Sequence, residues 1–107
     1  MIELETRVRE LAFTEKTSAI KRHGYAHSDH EALALLQEKI WEAEKEMQRV
    51  RVYEYALKKQ VYINNHKLSL EYVSEIKNDA INAAYELIQV AAMCDKFIES
   101  RQERGDE

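Results

Sequence analysis

The stretch LALLQEKIWEAEKEMQRVRVYEYALKKQV, residues 33–61, decides the fold. Apolar residues recur in it at Leu33, Leu36, Ile40, Ala43, Met47, Val50, Leu57 and Val61, three and four apart, and Glu54 interrupts the series. A helix returns a side chain to the same face at that spacing, so the pattern predicts a long α-helix with a coiled-coil-like seam. Upstream, Ser28 and Glu31 have the S-x-x-E spacing of a capping box, which opens this helix just before its apolar run. Further upstream, residues 3–22 read as a first amphipathic helix with Leu4, Val8, Leu11 and Ile20 on its apolar positions, and Gly24 is placed to end it.

Downstream, the polar stretch Asn64, Asn65, His66, Lys67 breaks the pattern, and Ser69 is expected to cap a third helix. Its seam runs through Val73, Ile76, Ala80, Ala83, Leu87, Val90, Cys94 and Phe97. Two matched seams joined by a short connection predict an antiparallel helical hairpin. A second stripe, Ile81, Ala84, Ile88, Ala91 and Ile98, leaves the third helix apolar on two sides. Two hairpins sharing a four-helix core would cover it, so a homodimer or a dimer of dimers is expected.

Composition agrees with this reading. No proline, two glycines and 34 % charged residues are typical of long helices, and 107 residues make one domain, residues 1–107. The expected fold class is all-α. A net charge of -4 argues against a nucleic-acid partner, which calls for a basic surface. No apolar run reaches the ~18 residues needed to span a bilayer, and no signal-type segment opens the sequence, so a cytoplasmic location without a membrane partner is expected. Cys94, the single cysteine, can form no internal disulfide and reads as a small buried hydrophobe on its seam.

Two polar faces stand out against the apolar ones. Glu31, Glu38 and Glu42 share a stripe of the second helix, and Asp79, Asn82, Glu86 and Gln89 share one on the third. Hard oxygen donors on facing helices suit a divalent cation, whereas solvated glutamates making contacts four residues apart are the commoner use of such stripes. Glu31 is already explained as a capping residue. His30 falls in the first turn, and His23, His27 and His66 lack zinc-site spacing. Trp41 lies away from its helix's seam, on a surface suited to a subunit contact.

The run His27-Ser28-Asp29-His30-Glu31, followed by an apolar stretch and then Glu38-Lys39-Ile40-Trp41-Glu42, resembles the opening of MazG-like nucleotide pyrophosphohydrolases. Glu86-Leu87-Ile88-Gln89-Val90-Ala91-Ala92-Met93 resembles a second segment of the same family, E-L-x-x-V-A-A-M. The resemblance implies an all-α enzyme that hydrolyses a nucleoside triphosphate to monophosphate and pyrophosphate with Mg²⁺ or Mn²⁺. It implies metal ligands at Glu38, Glu42 and Glu86, which match family acids, and at Gln89, where the family has Asp. Lys39 stands where the family has a second Glu. Lys39, Asp79 and Asn82 are the residues expected toward substrate. The two replacements imply a weakened site, and the alternative from another class is a catalytically silent helical module kept for oligomerisation or partner binding.

Overall fold

A computed structural model of the chain describes residues 2–105, which form three α-helices: α1 (Ile2–His23), α2 (Asp29–Tyr62) and α3 (His66–Glu103). Among the described residues there is no strand, and the all-α expectation holds. α1 ends at Gly24, whose positive φ of 76° lets its N–H turn back to Ile20 O at 2.7 Å. Ser28 caps α2 as expected, its Oγ accepting from the Glu31 N–H at 3.1 Å.

The third helix starts about one turn earlier than the Ser69 cap implied. Asn64 takes a left-handed φ of 58°, and Asn65 Oδ1 accepts from the Leu68 N–H at 3.1 Å. Asn tolerates that conformation better than other non-glycine residues, and its short amide reaches the free N–H groups of the first turn. Ser69 lies inside the helix, donating from Oγ to Asn65 O at 2.8 Å.

α2 and α3 pack along their length as the antiparallel hairpin, through only half of each expected seam: Leu36, Ala43, Val50 and Leu57 on α2 and Ile76, Ala83 and Val90 on α3. On α2 the inward residues are Ala32, Leu36, Lys39, Ala43, Glu46, Val50, Tyr53 and Leu57, while Leu33, Ile40, Met47 and Val61 are exposed. On α3, Tyr72, Ile76, Asp79, Ala83, Glu86, Val90 and Met93 turn inward, and Val73, Leu87 and Cys94 face out. Each helix is rotated by roughly one-sixth of a turn from the predicted contact, at ~100° per residue. Ala43 and Ala83 of the expected seams stay at the centre of the contact and Ala32 joins them in place of Leu33, since small residues let two backbones approach closely. Cys94 is thus an exposed thiol rather than a buried one.

α1 packs on α3 through its second half. Ala12, Lys16 and Ala19 are buried, whereas residues 3–11 are exposed, including the predicted contact residues Leu4, Val8 and Leu11. Lys16 forms an ion pair with Glu99 and lies 4.1 Å over the Phe13 ring. Ala19, Ala92 and Met93 with Leu35 and Leu36 make the small core where the three helices meet. The connection from α1 to α2 is tied to the end of α3. Ala26 N–H donates to the fully buried Ser100 Oγ at 2.9 Å, and Arg104 reaches Ala26 O at 2.9 Å and Asp29 Oδ1 at 2.8 Å. No helix among the described residues is long and apolar enough to cross a membrane.

Candidate functional site

The hairpin register brings the acidic residues together. Glu42 stands opposite Glu86 and Arg49 opposite Asp79, both pairs centred on the Asn64 turn. The left-handed Asn64 at the reversal sets this register. Because α2 turns Lys39, Glu42 and Glu46 toward α3, charged groups occupy the middle of a helix interface that the sequence reading had filled with apolar residues.

Buried charge is costly unless it is paired. Two cations answer it here: Lys39 Nζ lies 3.6 Å from Glu42 Oε2, and Arg49 Nε lies 3.3 Å from Asp79 Oδ1, with the Asp79 side chain only 4 % exposed. Glu46 Oε2, Asp79 Oδ2 and Glu86 Oε2 are nonetheless buried without a hydrogen-bond partner. Burial raises the pKa of Glu86 above its ordinary 4.5, and the hydrogen bond with Glu42 and the charge of Glu42 push it further. Lys39 opposes that shift and Glu46 adds to it. Desolvation and the negative charge of Glu42 thus both favour the protonated form of Glu86 where the two helices meet.

A cleft of about 220 Å³ opens between Glu42, Lys45, Glu46 and Glu86. A second, of about 580 Å³, adjoins it through Lys45 and Glu46 and is lined by Arg49, Val52 and Tyr53. Trp41 is 60 % exposed, with Lys45 Nζ 4.4 Å over its ring. A polyanion with a flat ring has both cations and aromatic surface beside the acids.

Of the expected site residues, Glu42, Glu86, Lys39 and Asp79 lie at the α2–α3 interface. Gln89 is buried, but Glu38, Asn82, Glu31 and His30 are exposed. Glu38 does not join these acids: one helical turn before Glu42 and about 40° further round the helix from α3, it is exposed. Glu46 was missed. Its signal was present: Lys39, Glu42, Glu46, Val50, Tyr53 and Leu57 recur three and four apart, and only their mixed polarity hides the stripe.

The donor chemistry suits a hard cation such as Mg²⁺, but the arrangement does not. Among the described residues no three His, Cys, Asp or Glu side chains are grouped to hold a metal ion, and the Lys39 ammonium occupies the neighbourhood of Glu42 and Glu86. The chain matches no protein-family model, and no curated protein or solved structure is similar to it.

Proposed function

We propose that the chain is a MazG-like nucleoside triphosphate pyrophosphohydrolase, cutting between the α and β phosphates to release monophosphate and pyrophosphate. One observation carries the reading: Glu42 and Glu86, the acids matched in the two resembling segments, line one open cleft from opposite helices of the hairpin. Because Lys39 already supplies positive charge there, the divalent cation enters as part of the substrate, the Mg²⁺ or Mn²⁺ complex of the nucleotide. Lys45 lines this cleft and Arg49 the adjoining one, and these two cations would meet the phosphates. Glu46, which also lines the cleft, is the acid we assign to take the proton of the attacking water.

The test is release of monophosphate and pyrophosphate from a panel of ribo- and deoxynucleoside triphosphates with Mg²⁺ or Mn²⁺. Turnover is expected for the wild-type chain, with a loss of at least ~100-fold in Glu42→Ala and in Glu86→Ala. A folded wild-type chain inert toward every nucleotide defeats the reading. The second reading, a silent helical module of the same fold, is favoured by Lys39 and Gln89 standing where the family has acids. Under it, those alanine variants change stability alone.

A further inference from the structure

The reversal between α2 and α3 gathers the most exposed apolar side chains of the protein. Among the described residues Tyr62, Leu70 and Ile63 are 74 %, 69 % and 68 % exposed, more than any other large apolar group. All three flank Asn64, and the exposed Val61 lies beside them. α1 does not shelter this end: its ion pair from Lys16 reaches Glu99, about 50 Å along α3 from His66 at ~1.5 Å per residue.

The same end is basic in an acidic protein. Residues 55–70 hold three of the 16 basic residues, Lys58, Lys59 and Lys67, and none of the 20 acidic ones, in a chain of net charge -4. All three lysines are exposed. Lys59 Nζ lies 4.7 Å over the Tyr55 ring and Lys58 Nζ 5.7 Å over that of Tyr62, so these ammonium groups rest on aromatic faces. A positive apex on a negative body attracts an anionic partner at one end alone, which orients the approach.

Nucleic acid, an acidic protein face and an anionic bilayer all carry the complementary charge, and the apolar side chains choose among them. Nucleic acid stacks on rings along a groove, and it gives Ile63 and Leu70 nothing to bury against. A folded protein would need a cavity matched to this projecting turn. A bilayer needs none, because apolar side chains sink ~5–10 Å into it while tyrosine rings and lysines stay among the headgroups. The dimensions agree: Leu70 lies about 6 Å back from the start of α3 and Lys58 and Lys59 about 4–6 Å back from Tyr62, within reach of headgroup phosphates on their flexible stems. We propose that the hairpin tip docks on an anionic lipid surface, sinking Tyr62, Ile63 and Leu70 into it and setting Lys58, Lys59 and Lys67 against lipid phosphates. The expectation of no membrane partner rested on the lack of a spanning run, which a tip that enters only the interface does not require. Glu42 and Glu46, roughly 24–30 Å back along α2, stay in water with their cleft.

Co-sedimentation of the full chain with vesicles tests it, comparing phosphatidylcholine alone with phosphatidylcholine containing about one-third phosphatidylserine. Wild type is expected to bind the anionic vesicles at least ~10-fold more tightly than the neutral ones and to be released by roughly 0.5 M salt. Lys58→Gln with Lys59→Gln should weaken binding about 25-fold, at about fivefold per lysine. Ile63→Ser with Leu70→Ser should weaken it at least ~10-fold with the helical circular dichroism unchanged, whereas Leu33→Ser, at an exposed apolar residue far from the tip, should leave it as it is. No binding to anionic vesicles, equal binding to neutral ones, or wild-type affinity in either double variant overturns the proposal. So does capture of a mixed-sequence oligonucleotide through Lys58 and Lys59 by a chain that ignores the vesicles, which would give the tip to nucleic acid. If the serine variant loses its helical signal, the lysine variant and the salt dependence decide.

Discussion

Glu86 shows how one side chain can record the tension in this hairpin. Its carboxyl group holds a proton more tightly when folded than when unfolded, where the ordinary value of 4.5 applies. A raised acid pKa favours the folded state below 4.5, and that contribution is lost as pH climbs through the folded value. Urea melts across pH 4 to 8 should therefore show a component of stability falling with rising pH, which Glu86→Gln removes while keeping a donor toward Glu42. The variant is expected to equal or exceed wild type at neutral pH. Lys39 acts in the opposite sense. Lys39→Ala strips Glu42 of its 3.6 Å counter-charge and should lower the melting temperature in metal-free buffer, whereas Lys39→Glu with Gln89→Asp should give a larger thermal shift on adding Mg²⁺ than wild type shows. Equal shifts would sever the link between these two residues and cation binding.

At the scale of elements, start and stop signals were readable because they are local. Ser28 and Gly24 act through hydrogen bonds within a turn of themselves, and both behave as the sequence says. The start of α3 was misread because Asn65 and Ser69 are both competent caps, and the choice between them is made by where the chain must reverse. The packing face was less readable for a different reason. An apolar stripe states that a surface is to be covered, not by which helix, and the contact keeps Ala43 and Ala83 of the expected seams but takes in Ala32 and leaves Leu33 and Leu87 outside. Glu42 and Glu86 were found from motif spacing, while Glu46 needed knowledge of that rotation. Ser28→Ala is expected to cost about 1 kcal/mol in denaturant unfolding, the usual value of a lost cap. Ser100→Ala, which orphans the buried Ala26 N–H, should cost roughly 1–3 kcal/mol.

The whole molecule measures 61 × 31 × 22 Å, a long body with a thin core. Met93 apart, the buried side chains among the described residues are alanines or polar groups, so stability rests on helix contacts rather than on a filled centre. If two copies share a bundle, the midpoint of thermal unfolding must rise with protein concentration, by mass action. Calorimetry over a hundredfold range reads this directly, and a constant midpoint would show a chain that unfolds alone.

The tie between residues 26–29 and 100–104 also changes how the chain can be divided. The hairpin is joined at one end by the turn through Asn64 and at the other by Ser100, Arg104 and Asp29. A single cut after Asn64 would therefore leave two polypeptides, one ending in α2 and one beginning at α3, each still holding the complementary half of the closure. Co-expressed, the two pieces should find each other in the native register, which makes the hairpin turn the natural point at which to build a split version of this protein.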